Sequence, residues 1–332
     1  MEKKARTLTP RENIMRILNR QTPEWIPFTN DEVWYLHIDE VLERGPEKGG
    51  AGYDWFGVHW TYTKEADAST PTPGHAPVMD DITLWREQVR FPDLDAVDWE
   101  AAWERDKADP KNTPEHFVYF ESLSGPFERL HALMGFEDAL VATMTEPEAC
   151  TEFFEAMVDY KIELIRRLKK YYPIDLFELS DDYGYQQNTF LPPDLWAELF
   201  SAPLKKLKEF CESEGIVFQL HSDGMVKSLI PYWLDLGITH WASCQPINDL
   251  PQVLRDYGDR LTLWPGLEFL PYEGKELTEE EQRKIMEEEV FPLCKGGVCV
   301  PDLWNGKYEA VFKKMLAEKE DFYQDPENCR LP

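Results

Sequence analysis

The run Gln219-Leu220-His221-Ser222-Asp223-Gly224 places an imidazole and a carboxylate two residues apart at the end of a strand-like stretch. Side chains of a strand alternate between its two faces. Gln219, His221 and Asp223 therefore share one face, and Phe218, Leu220 and Ser222 share the other. A second acidic strand end reads Glu178-Leu179-Ser180-Asp181-Asp182-Tyr183-Gly184. With Phe177 and Leu179 turned toward helices, Glu178, Ser180 and Asp182 face inward by the same alternation. Carboxylate, imidazole and, from Cys299, thiolate can hold zinc in an open catalytic site. Without metal, His221 with Glu178 or Asp182 could do general acid–base work. A plug of satisfied hydrogen bonds is the third reading.

The elements that must position these groups alternate regularly. Strand-like stretches at 174–182, 216–224, 238–244, 261–268 and 297–302 are separated by helical patterns at 193–214, 225–236, 248–257 and 278–289, with a last one at 306–318. Such alternation implies βαβ units and a parallel sheet. Upstream, residues 117–124 read as a strand and 26–31 as a first strand. Residues 10–19 read as a short helix, and Pro147 opens an amphipathic helix that runs to about residue 171. No GxGxxG or Walker loop supports an open doubly wound sheet. The expected fold is an α/β (β/α)8 TIM barrel with N-terminal helical and loop elaborations. It spans residues 1–332 as one domain, with 45–115 an inserted aromatic-rich loop or lid. A barrel's active site lies at the carboxyl ends of its strands. That rim would gather Glu178, Asp182, His221, Asp223, His240, Cys244, Gln245, Cys299 and Asp302, with Trp304 and Asn305 just beyond.

The chain has 332 residues, 42% of them apolar, enough for a large core. Its net charge of −28 argues against nucleic-acid binding and suits solubility or a partner with a basic face. No run approaches a membrane span and the N-terminus has no signal-peptide pattern, so a cytoplasmic location is expected. Six cysteines without a CxxC pair read as free thiols.

Several segments together resemble the uroporphyrinogen decarboxylase superfamily. They are Arg11-Glu12-Asn13-Ile14 leading to Pro27, Gly125-Pro126-Phe127-Glu128-Arg129 followed by Gly135-Phe136-Glu137, and Asp181-Asp182-Tyr183-Gly184 with Gln186 and Pro193. His221-Ser222-Asp223-Gly224, Leu236-Gly237 with Gln245-Pro246, Tyr257-Gly258-Asp259-Arg260-Leu261 and Gly296-Gly297 continue the resemblance. It implies a (β/α)8 barrel, and a homodimer is a superfamily expectation. True decarboxylases of this group carry an arginine-rich stretch after the first strand that grips substrate carboxylates. This chain has Phe28-Thr29-Asn30-Asp31-Glu32-Val33-Trp34 there. The resemblance is therefore greatest to the corrinoid-dependent methyltransferases, and among them to O-demethylase components. Thiol-methylating members hold zinc through a His-x-Cys pair. Here His221-Ser222-Asp223 substitutes an aspartate, and an oxygen-richer site suits polarising an ether oxygen.

What the resemblance implies is a zinc-dependent transfer of methyl from a methoxylated aromatic to the cobalt of a cobalamin-type corrinoid on a partner protein. The metal ligands would come from His221, Asp223, Cys299 and Glu178, and the catalytic groups would be Asp182, Glu178 and Asp181. Asn30, Trp55, Phe56, Tyr183 and Gln245 would hold the substrate. A decarboxylase-like lyase, or a methyltransferase for a methylamine, methanol or thiol, is the alternative.

Overall fold

The structure, a computed structural model, describes residues 6–45, 50–63, 68–266, 275–302 and 308–332. Its largest sheet has six parallel strands in the order β1 (Val33–Tyr35), β5 (Phe117–Ser122), β6 (Leu176–Ser180), β7 (Val217–His221), β8 (His240–Ala242) and β9 (Thr262–Trp264). Strands β2 (Ala51–Tyr53), β3 (His59–Thr63) and β4 (Ala68–Pro71) form a separate antiparallel sheet. The inserted region is thus more than an aromatic loop. It also contains helices Trp85–Gln88 and Trp99–Asp106.

The expected first strand at 26–31 is displaced. Thr29–Glu32 is one helical turn, and the strand follows it. The buried Glu32 carboxylate accepts from the Trp25 indole Nε1 at 2.9 Å, which folds the segment back on itself.

Alternation along the strands sorts the core into two layers. Val33, Phe117, Tyr119, Leu176, Ala242, Trp264 and Val300 pack inside the curled sheet. Val118, Phe120, Phe177, Leu179, Phe218, Leu220, Trp241 and Leu263 face the surrounding helices. The two longest helices, Pro147–Leu168 and Pro193–Ser213, pack against each other in that outer layer. Helix Pro10–Leu18 plugs the amino-terminal end. Ile14, Ile17 and Leu18 join the inner layer, and Arg11 makes a bidentate pair with Asp175. His240 meets the Leu18 carbonyl at 2.9 Å at this end, remote from the rim where the sequence places it. Burial pushes its imidazole down to about 4.

Beyond β9 the described chain adds parallel bridges, Leu263 to Cys299 and Gly266 to Asp302, rather than a full strand. Among the described residues no ladder joins this edge to β1. Side chains span the seam instead. Asp302 accepts hydrogen bonds from Thr29 Oγ1 and Tyr35 OH, both at 2.6 Å, and from Trp264 Nε1 at 2.9 Å. The fold is a curled six-stranded α/β half-barrel. The sequence expects eight strands; among the described residues six form, with these bridges beyond β9, while the end of the expected strand 261–268, Trp304 and Asn305 lie outside the described residues. Among the described residues, no helix is long and apolar enough to cross a membrane, and all six cysteines are free.

Candidate active site

Strand register builds the site. Glu121 pairs with Glu178, and Glu178 with Gln219, so three polar side chains lie in one row across β5, β6 and β7 on the inner face. One step nearer the carboxyl rim, Ser180 pairs with His221. Both Glu178 oxygens are occupied. Oε1 meets His221 Nδ1 at 2.9 Å, while Oε2 accepts from Gln219 Nε2 at 2.8 Å and from the Tyr119 hydroxyl. Gln219 also reaches the Tyr119 hydroxyl oxygen at 3.0 Å.

This bonding orients the imidazole. With Nδ1 committed to Glu178, Nε2 faces the rim, 3.9 Å from Asp182 Oδ1. Asp182 and Asp223 stand together in the turns after β6 and β7, and the Asp223 backbone N–H donates to Asp182 Oδ1 at 2.7 Å. The Ser243 hydroxyl donates to Asp223 from a left-handed backbone conformation (φ 56°). The two turns touch at Gly224, whose N–H donates to Gln245 Oε1 at 2.9 Å. A Cβ at Gly224 would fall 2.3 Å from the Gly184 carbonyl carbon, and its φ of 81° disfavours other residues.

Crowded carboxylates perturb one another. Burial, then the neighbouring Glu178, raises the Glu121 carboxyl to about 7. Burial, then Glu128 and Asp223, raises Asp182 to about 7. For His221 burial opposes the charged ring, but Glu178, Asp223 and Asp182 outweigh it, and the imidazolium persists well above the usual histidine range. Such strongly raised values within one cluster are typical of functional sites.

Arg44 reaches the same mouth. It pairs with Glu128 and contacts Ser124 Oγ at 3.3 Å. Burial disfavours its charge, and Glu128, Glu121 and Asp182 more than restore it. The residue before it is anchored by buried ions. Glu43 accepts from Lys161 and from Ser122 Oγ, and its carbonyl accepts from Arg129. Arg129 in turn pairs with Asp54, and neither exposes any side-chain surface. Asp54 also takes the N–H groups of Phe56 and Val58 and the indole N–H of Trp60, each at 2.9 Å. The small sheet is thereby tied to the half-barrel.

Of the residues singled out in the sequence, Glu178, Asp182, His221 and Asp223 come together. Gln245 borders them through Gly224. Asp181 does not join them. Its carboxylate accepts from the N–H groups of Phe127 (3.2 Å) and Glu128 (2.8 Å) and from the Tyr183 hydroxyl (2.6 Å), and so satisfies the start of helix Pro126–Met134. Asp181→Ala is expected to lower stability by about 2–4 kcal/mol, since it orphans three buried donors. Urea unfolding would show this, and a change below about 0.5 kcal/mol would refute the capping role.

Cys299 lies on the outer face of the wall beside Cys294, because its neighbour Val300 takes the inner position. It belongs to neither group of side chains that could hold a metal. It lines a separate cavity of about 160 Å³ behind the wall, with Cys244, Leu250, Val290 and Leu293. Phe56 packs in the outer core against Phe91, Tyr160 and the Arg129 guanidinium. Tyr183 is buried against Trp196 and Phe200. Trp55 packs half-buried on the same core, and the Asn30 carbonyl accepts from Lys111 at 2.6 Å. Sequence reasoning missed Glu121, Tyr119, Arg44 and Glu128. The alternation that places Phe117 and Tyr119 inward also places Glu121 inward. Nothing in the irregular stretch around Arg44 signals its position.

Among the described residues, two groups of side chains offer ligand atoms within 4.8 Å of one another, namely Asp182, His221 and Asp223, and Glu121, Glu178 and His221. Fold and site together define a barrel-like α/β protein with a histidine- and carboxylate-lined mouth.

No protein-family model matches the chain, and no curated protein matches it. Among solved structures, a methyltransferase from Methanosarcina mazei superposes with a TM-score of 0.65 at 12% identity, covering 96% of this chain and 99% of that one. A 3-keto-L-gulonate-6-phosphate decarboxylase from Vibrio cholerae reaches a TM-score of only 0.32 at 12% identity, over 68% of this chain and 79% of that one, too slight to carry an argument. The first likeness, at this identity, shows a shared fold.

Proposed function

We propose that this protein is a methyltransferase that moves a methyl group from an aryl methyl ether to the cobalt of a corrinoid carried by a partner protein. The observation that carries the reading is the His221 ring, fixed by Glu178 through Nδ1 and turned through Nε2 toward two rim carboxylates. The fold shared with the Methanosarcina methyltransferase favours methyl transfer over other barrel chemistries.

The donor set fits a divalent cation such as zinc, which His221 would hold together with Asp182 and Asp223. Bound there, zinc supplies a Lewis acid for the ether oxygen, because phenolate leaves a methyl group poorly without one. Glu178 fixes the ring tautomer, and Tyr119 and Gln219 fix Glu178. Glu121, whose carboxyl is pushed up to about 7 by burial and by Glu178, is suited to return a proton to a departing phenolate. The acidic surface suits a partner with a basic docking face.

A lyase acting on polycarboxylates is disfavoured by the acids that line the mouth. Asp31 pairs with Lys313 and Glu32 bonds Trp25, so neither guards the mouth. Glu121, Asp182 and Asp223 do. Elemental analysis of the purified protein should find about one zinc per chain. Metal-free protein that transfers methyl at full rate would refute the zinc assignment.

A further inference from the structure

The mouth holds more carboxylate than cation. Glu121 and Glu178 face it from β5 and β6, and Asp182 and Asp223 from the turns beyond β6 and β7. Against them stand His221, bonded to Glu178, and Arg44. Away from the corner where His221, Asp182 and Asp223 would hold a cation, a substrate carboxylate entering here would need a guanidinium partner. Arg44 is the described guanidinium whose charge reaches Glu121, Glu128 and Asp182, and Glu128 already pairs with it. Glu128 itself is buried, 7% exposed, on helix Pro126–Met134.

We propose that Glu128 is a specificity-determining residue: by occupying Arg44 it closes the mouth to carboxylate-bearing aryl ethers and reserves it for uncharged ones. The inference rests on the aryl-ether reading above and names its substrate class. To recruit Arg44, an incoming carboxylate must displace Glu128 and leave it buried without a partner. The displaced Glu128 carboxylate and the incoming one would then share a partly desolvated site, where like charges repel more strongly than in water. Discrimination thus comes from a repulsive element built beside the attractive one.

The test is titration calorimetry of the full chain with para-methoxyphenol and para-methoxybenzoate at neutral pH. The wild type should bind the phenol at least about tenfold more tightly than the benzoate. Glu128→Gln, which frees Arg44, should shrink that ratio at least about tenfold by tightening benzoate binding. Adding Arg44→Gln to Glu128→Gln should cancel that gain, because the freed Arg44 is its source. Benzoate binding as tight as phenol binding in the wild type overturns the inference and spares the aryl-ether reading. So does a gain in benzoate affinity that persists in the folded Glu128→Gln/Arg44→Gln double variant. An unchanged ratio in folded Glu128→Gln also overturns it. Binding of neither compound by the folded wild type overturns the inference and the aryl-ether reading together.

Discussion

His221→Ala is expected to lower methyl transfer at least about a thousandfold and to abolish metal binding. The imidazole is the member common to both groups of side chains able to hold a cation, and the remaining oxygen ligands would have to hold zinc without nitrogen. Its removal also leaves Glu178 buried, with Tyr119 and Gln219 as its remaining hydrogen-bond donors. Glu178→Gln, by contrast, keeps the shape and weakens the orientation of the ring, so a smaller loss of about 10–100-fold is expected. The pair separates roles, because a ligand and its supporting carboxylate should differ by at least about tenfold. Steady-state rates together with metal content measure both. His221→Ala activity within about tenfold of wild type would remove this residue from the mechanism.

Arg129→Ala carries the largest expected effect on stability, a loss of about 3–5 kcal/mol in chemical unfolding. The guanidinium and Asp54 are fully buried together, so truncation strands the Asp54 carboxylate in the interior. It also removes the bond to the Glu43 carbonyl and the stacking of the cation 4.1 Å over the Phe56 ring. The first of these losses falls on the segment that delivers Arg44 to the mouth. Replacing both partners with apolar residues of similar volume should cost much less than Arg129→Ala alone, since no buried charge is then stranded. A single-variant loss below about 1 kcal/mol would contradict the anchoring role.

The parts of this fold that could be read from sequence are those with a clean period. Alternation in Leu176–Ser180 and Val217–His221 placed Glu178, Gln219 and His221 on one face, and the sheet register then set Glu178 beside Gln219 and Ser180 beside His221. The same period in Phe117–Ser122 puts Glu121 on that face, a signal present but easily passed over within a run of strand formers. Asp181 and Asp182 show where periodicity ends. Past the last ladder residue the two carboxylates look alike in sequence, yet one satisfies a helix start and the other joins the rim. Cys299 shows the sensitivity of strand reading to one residue, since a single step decides between the inner and outer faces of the wall. Arg44 was not legible. It is held by buried ion pairs between segments far apart in the chain, Glu43 with Lys161 and Asp54 with Arg129, and no local pattern encodes those pairings.

The central claim is tested most directly by mixing the purified protein with a methoxyarene and a Co(I) corrinoid, free or bound to protein, and following the corrinoid spectrum. The account predicts conversion of Co(I) to methyl-Co(III), with one phenol released for each methyl transferred and loss of both in His221→Ala. Zinc-loaded, folded protein that leaves Co(I) unmethylated across a panel of uncharged methoxyarenes would contradict it.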